Sequence, residues 1–280
     1  MIRRIAITGS SGYYGRKLID RIRTQAPEAR ILGCDVAPAR DSAPDEFVPL
    51  DVRDPNLVTT LQAFAPDTIV HLAFVVNPTH DDRQMRSINI DGSRNVFAAV
   101  RTLRPNRFLM ASSATVYGSF PDNPVPADES WQIRARPNYR YAVDKTEIER
   151  LIAELGRDLP EVAVSWTRPA IIYGPQVHNY LSKFLIHLPL VVLMDGFDCP
   201  LQFVHEDDVA AATWRILEAG GRGPYNIGPP DWVHLSQIAK YSGRPIITLP
   251  FWMIRCITTC WWGLRLPVFE FPVGMLYFLR

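Results

Sequence analysis

The stretch Ile5-Ala6-Ile7-Thr8-Gly9-Ser10-Ser11-Gly12-Tyr13-Tyr14-Gly15 decides the fold of this chain. An apolar run of strand type, Arg4 to Ile7, feeds a turn with glycines at 9, 12 and 15. An amphipathic helix follows through Leu18, Ile19 and Ile22. Strand, glycine turn and helix in that order suit a dinucleotide pyrophosphate. Gly9 permits the tight turn, Gly12 lets the backbone approach phosphate with no Cβ in the way, and Gly15 lets the helix pack close to the strand. The helix N-terminus then offers unpaired N–H groups and a partial positive charge to the anion. The spacing is G-x-x-G-x-x-G, which an ordinary turn also accommodates. Asp35, ending a second strand from Arg30 to Cys34, supplies a carboxylate that can accept from the ribose hydroxyls of NAD and would repel the 2′-phosphate of NADP.

Working outward, strand and helix signals alternate through two thirds of the chain. Phe47 to Leu50 leads into Asp51-Val52, then a helix with Leu57, Leu61 and Phe64 precedes the strand Thr68 to Ala73. A helix near Asn89 to Leu103 precedes a strand from Arg107 to Ser112, and another from Tyr141 to Leu155 precedes Ala163 to Trp166. Such alternation predicts a doubly wound α/β fold of Rossmann type, a parallel sheet with helices on both faces. Right-handed crossovers place Gly12, Asp35, Asp51, Ala73 and Ser113 along one sheet edge. Beyond Trp166 the expectations are a loop over Arg168 to Pro175, an apolar helix or helix pair over Tyr180 to Val192, a helix opened by Phe203 to Ala210, and a strand at Tyr225 to Gly228. The expected division is a nucleotide domain of 1–167 plus 200–228, with a small substrate lobe of 168–199 plus 229–280.

Composition narrows the class. Lys+Arg 30 against Asp+Glu 29 gives net charge +1, so no electrostatic grip on nucleic acid or on an acidic membrane is expected from the chain as a whole. The first strand begins almost at the N-terminus, which leaves no signal peptide in view. Cysteines 34, 199, 256 and 260 form no C-x-x-C pair, so free thiols without metal and a cytoplasmic location are the default expectations. Residues 245–280 are unusually apolar, with Trp252, Trp261 and Trp262, yet arginines and prolines interrupt any run long enough to span a membrane. A helix of the substrate lobe is the plain reading, and contact with a membrane interface is the other.

Tyr141 and Lys145 are four residues apart at the start of a predicted helix, so both lie on one face. A phenol has a pKa near 10, and a nearby ammonium favours the phenolate. The pair can then remove a hydroxyl proton while hydride leaves carbon. A solvated helix pair gives the same spacing. A hydroxyl of Ser112-Ser113, following the fifth predicted strand, is placed to orient the substrate oxygen toward Tyr141.

With these residues the chain resembles the short-chain dehydrogenase/reductase superfamily, and more closely its extended branch, the NAD-dependent epimerase/dehydratase family. The matching pieces run in unbroken order from residue 1 to about 230. They are Thr8-Gly9-x-x-Gly12-x-x-Gly15, Asp51-Val52, His71-Leu72-Ala73, Asn89, Ser112 to Gly118, Tyr141-x-x-x-Lys145, Arg168-Pro169, Tyr173-Gly174-Pro175, Phe203 to Ala210 and Tyr225 to Gly228. The resemblance implies that Ser113 orients substrate, Tyr141 is the acid/base, and Lys145 holds the nicotinamide ribose and lowers the tyrosine pKa. It implies NAD contacts at Gly9, Ser11, Gly12, Tyr13, Tyr14, Gly15, Asp35, Asp51, Val52, Leu72, Ala73, Asn89, Tyr141, Lys145, Pro169 and Ile171. For Asn89 a buried tie between helix and strand is an equal alternative. His71 reads as a strand-end histidine satisfied by its neighbours, and His205, Asp207 and Asp208 as structural. A homodimer through helices near 90–104 and 141–156 is implied as well.

Two departures from the family pattern bear on substrate. Members acting on nucleotide sugars carry Asn two residues before Tyr-Gly-Pro and Arg-Asp just before Phe-Val-His, both toward the nucleotide diphosphate. Here Ile171 and Leu201-Gln202 stand at those places. The family also usually extends its substrate lobe beyond a segment like 246–280. The expected activity is therefore NAD-dependent hydride transfer at a secondary alcohol or ketone of a sugar or sugar-like substrate without strong diphosphate contacts. A hydroxysteroid-like apolar alcohol and a non-catalytic NAD-binding sensor or scaffold are the alternatives. Arg168, His178 and Lys183 are the cations left to rescue a phosphate, and Phe184, Leu185, Ile186, Leu190, Val191 and Leu193 with the Trp-rich tail offer apolar surface instead. Net oxidation and epimerisation share the first hydride step.

Overall fold

The computed structural model describes residues 2–39, 41–177, 181, 189–265 and 272–280. The main sheet comprises β1 (Arg4–Thr8), β2 (Arg30–Asp35), β3 (Glu46–Pro49), β4 (Thr68–His71), β5 (Arg107–Ala111), β6 (Ala163–Pro169) and the strand Gly223–Ile227. It is parallel throughout, in the order Gly223–Ile227, β6, β5, β4, β1, β2, β3. The order reverses between β1 and β4, and a crevice opens at such a reversal beyond the carboxyl ends of the strands.

The pleat sorts β1 between two cores. Ile5 and Ile7 pack with Leu18, Ile19 and Ile22 of α1 (Tyr13–Gln25). Ala6 faces the opposite core, with Leu57 and Leu61 of α2 (Leu57–Phe64), Val96 and Phe97 of α4 (Gly92–Leu103), and Ile148 and Ile152 of α5 (Arg140–Asp158). Between α2 and α4 the chain forms α3 (Asp82–Arg86) and a π-helical turn, Ser87–Asp91. A third core gathers Tyr139, Val191, Met194, Leu201, Leu235, Phe251, Met275 and Leu276, at some distance in sequence from one another.

The expectations beyond Trp166 change in three places. Arg168 to Pro175 is not a loop throughout: β6 continues to Pro169, and Ile171–Tyr173 pairs in parallel with Phe203–His205. Arg168 stays inside the fold as part of β6 because the Glu149 carboxylate neutralises it. Phe203–His205 is thus strand, and the helix starts only at Glu206, where the Asp207 N–H donates to His205 Nδ1 at 3.3 Å. Val191 and Val192 belong to a strand, Val191–Met194, parallel to Ile246–Leu249, while residues 180 and 182–188 of the expected helical stretch lie outside the described residues. The apolar end forms a helix, Phe251–Gly263, and a 3-10 segment, Val273–Leu279. No helix among the described residues is long and apolar enough to cross a membrane.

Candidate active site

The glycine turn takes the shape its residues permit. Gly9 sits at φ +77°, a region that disfavours side chains, and its N–H donates to Cys34 O at 2.8 Å. A Cβ there would stand 2.5 Å from Ala73 N, and one on Gly15 would stand 2.5 Å from Gly9 O. At Gly12 a Cβ would meet only Gly9 O, at 3.4 Å, and would otherwise fill the cradle in front of α1. Asp35 braces the turn from β2: its carboxylate accepts from the Ser11 and Ala37 N–H groups, each at 2.9 Å. A carboxylate has about four lone-pair sites, so acceptor capacity remains for ribose hydroxyls.

From this turn a cavity of about 430 Å³ runs along the sheet edge. Of the expected site residues it brings together Gly9, Gly12, Tyr13, Tyr14, Gly15, Leu72, Ser113, Tyr141, Lys145, Pro169 and Ile171. Ser11, Asp35, Asp51, Val52, Ala73 and Asn89 are not in its wall. Asp51 is held by Arg53, whose Nη2 lies 2.6 Å from the carboxylate, and this partner lowers the Asp51 pKa. Val52 is buried in the α4-side core. Asn89 is the structural tie: its Oδ1 accepts from Val75 N–H at 2.8 Å and its Nδ2 donates to Asp144 at 3.2 Å, joining the loop after β4 to α5. Tyr14 presents its ring to the cavity while its hydroxyl is within 2.5 Å of Thr213 Oγ1.

Tyr141 and Lys145 stand one turn apart on α5. Their neighbour is Phe74, just beyond β4: Tyr141 meets its ring edge-on at 5.6 Å and 89°, and Lys145 Nζ lies 3.5 Å from its centroid. Lys145 donates to Ala111 O at the end of β5, at 2.6 Å. Burial pushes its pKa down to about 7, against the opposing pull of the Glu149 and Asp144 carboxylates. Ser113 caps the 3-10 turn Ala114–Tyr117, accepting from Thr115 N–H at 3.2 Å and from Thr115 Oγ1 at 3.0 Å.

Behind the reactive face lies a buried polar cluster that sequence reasoning missed. Glu149 accepts from Ser112 Oγ, Trp166 Nε1 (2.9 Å) and Arg168 Nη2 (2.6 Å), while Arg168 Nη1 donates to Tyr117 Oη at 2.8 Å. Its signal was the helical spacing of Lys145 and Glu149. Arg168 is thereby committed, and His178 and Lys183 lie outside the described residues. His71 is satisfied as expected, with Thr8 Oγ1 at 2.7 Å and Ser93 Oγ at 2.9 Å. Burial pushes its pKa down to about 3.

The wall opposite the glycine turn includes Val76, Tyr139, Ile171, Leu181, Leu201, Gln202, Leu235, Met275, Phe278 and Leu279. Gln202 donates its amide to Pro229 O at 2.5 Å. Met275, Phe278 and Leu279 arrive from the chain's last described segment, a wall no local motif announces. Among the described residues no group of His, Cys, Asp and Glu gathers as a metal site.

A parallel sheet whose order reverses at a glycine turn, with a Tyr/Lys pair on one helix facing that turn, defines an extended short-chain dehydrogenase/reductase. The chain belongs to the NAD-dependent epimerase/dehydratase family, whose profile matches residues 5–228. It is similar to an uncharacterized protein of Mycobacterium tuberculosis, 30% identical over 254 residues that cover 88% of this chain and 67% of the relative. The UDP-glucose 4-epimerase of Mycolicibacterium smegmatis is 28% identical over 248 residues, 80% of this chain and 77% of that one. In fold it is similar to the Thermus thermophilus UDP-glucose 4-epimerase solved in complex with NAD, at TM-score 0.72 and 22% identity, covering 88% of this chain and 86% of that one. NAD is the family's cofactor, and the open cradle at Gly12, the α1 N-terminus and the acceptors of Asp35 fit it.

Proposed function

We propose that this chain is an NAD-dependent oxidoreductase or epimerase acting at a secondary alcohol or ketone of a sugar or sugar-like substrate that is held without a diphosphate cradle. The observation that carries the reading is the convergence of Ser113, Tyr141 and Lys145 on the cavity that begins at the glycine turn. The cofactor, when bound, supplies a hydride acceptor and donor. Gly9, Gly12, Gly15 and the α1 N-terminus would hold its pyrophosphate, with Asp35 at the adenine ribose and Lys145 and Pro169 toward the nicotinamide end.

In this reading Tyr141 takes the substrate hydroxyl proton and gives it back in the reverse direction. In its charged form Lys145 favours the phenolate, and burial both strengthens that pull and, by lowering the Lys145 pKa to about 7, confines it to pH near or below that value. Ser113 fixes the substrate oxygen against Tyr141. The apolar lobe wall excludes water, and among its described residues it offers no cation to a phosphate, a group that is costly to desolvate unpaired. That wall also supports the second reading, an apolar hydroxysteroid-like alcohol. We infer further that 1–167 with 200–228 forms the nucleotide part and 168–199 with 229–280 the lobe. The helices α4 and α5 are the faces we propose for a homodimer.

The test is Tyr141→Phe. Turnover on a substrate found by screening secondary alcohols and free sugars against nucleotide sugars should fall by about 10²–10⁴-fold, with NAD affinity held within a few-fold. Comparable turnover by the variant would remove Tyr141 from the chemistry. A parent protein that binds NAD but turns over nothing in the screen would favour a sensor, and a saturable response to a nucleotide sugar, competed by its nucleoside diphosphate, would overturn the substrate class.

A further inference from the structure

We propose that the helix Phe251–Gly263 docks this protein on the surface of an anionic lipid bilayer. The helix is seated on its inner side: Phe251 meets Tyr277 at 5.4 Å and Trp262 meets His80 at 4.0 Å between ring centroids. Its outer stripe is Trp252, Arg255, Cys256, Thr259, Cys260 and Gly263, all exposed and spaced so that they share one face. Ile257 and Leu264 flank that stripe; Trp252 is 65% and Leu264 69% exposed. A helix facing only water carries charged residues of both signs on its outer face, whereas one lying in a membrane interface carries Trp and aliphatic side chains with arginines beside them.

Charge chooses the occupant. Between Asp231 and Glu270 the sequence holds no Asp or Glu, and it carries Lys240, Arg244, Arg255 and Arg265. Arg255 and Arg265, both exposed toward either end of the helix, make no ion pair among the described residues. A second copy of the chain would bring the same patch onto itself, arginine to arginine, with no carboxylate in the stretch to pair them. Lipid phosphates provide those carboxylate equivalents while the acyl boundary takes Trp252 and Leu264. The length of the helix allows it to lie on a bilayer and not to cross it.

The experiment is co-sedimentation of the full chain, loaded with NAD, with vesicles of phosphatidylcholine alone or mixed with phosphatidylglycerol. Binding is expected to the mixed vesicles only and to weaken as salt is raised. Arg255→Glu with Arg265→Glu should weaken it by about tenfold or more, and Trp252→Ser with Leu264→Ser should abolish it. NAD affinity should be unchanged in both variants, which marks them as folded. The proposal is overturned if the parent protein ignores anionic vesicles, if its binding is indifferent to salt and lipid charge, or if both variants bind as the parent does. A parent dimer that Trp252→Ser with Leu264→Ser dissociates would assign the face to a second copy instead.

Discussion

The seven-stranded sheet and the apolar cluster around Tyr139, Leu235 and Met275 are held together in different ways. Around the sheet, polar side chains tie element to element from within: Asp35 to the glycine turn, Asn89 to the loop after β4 and to α5, Glu149 to β5 and β6. The two-stranded pairings share one apolar cluster, and their polar ties stay local to helix starts, Asp198 accepting from the Ser236 N–H and Oγ and Asp195 from the Phe251 N–H, with an exposed Arg280–Asp195 pair (3.3 Å) beside them. Buried polar ties are costly to break and define a single arrangement, whereas apolar contacts are nearly indifferent to direction. One half can therefore keep a cofactor site constant while the other changes the shape of its cavity.

The largest expected effect tests the buried tie. Glu149→Gln leaves Arg168 charged and without its carboxylate at 4% side-chain exposure, and should cost about 3–5 kcal/mol by denaturant unfolding. A loss near zero would mean that the cluster is not what secures β6. Leu276→Ala in the apolar cluster around Tyr139, Leu235 and Met275 should cost about 2–3 kcal/mol, with NAD affinity within twofold by calorimetry. If it weakens NAD as strongly as a change beside the glycine turn, the two halves are not separable in this way.

A smaller effect is expected in acid. His71 is held neutral by burial, with its pKa at about 3, while in the unfolded chain it titrates near 6.5. Between those values the unfolded state binds the additional proton, so stability falls as pH drops through that window. The slope from this group is at most about 1.4 kcal/mol per pH unit. His71→Gln should flatten that limb, measured by urea unfolding at stepped pH, and an unchanged slope would assign the acid sensitivity elsewhere. Last comes Arg280→Ala, expected to cost under about 1 kcal/mol because both partners are half exposed. A larger loss would show that the packing around the apolar cluster too depends on charge.

These effects follow what could be read in advance. The first strand, the glycine turn, Asp35, Ser113 and the Tyr141/Lys145 pair were legible because each is a local signal: a period of two or of 3.6, a residue without a Cβ, two side chains one helical turn apart. Such signals depend on neighbours in the chain, and neighbours in the chain are what a sequence states. The sequence also states Ile171 and Leu201, the departures on which the proposed substrate class rests. Only the tertiary structure decided that Phe74 lies against both Tyr141 and Lys145, that Glu149 takes up Arg168, and that Asn89 is spent on Val75 and Asp144. Only it brought Met275, Phe278 and Leu279 to the cavity from the far end of the chain. Those pairings join segments tens to hundreds of residues apart, and apolar packing has no spacing rule by which the chain could announce them.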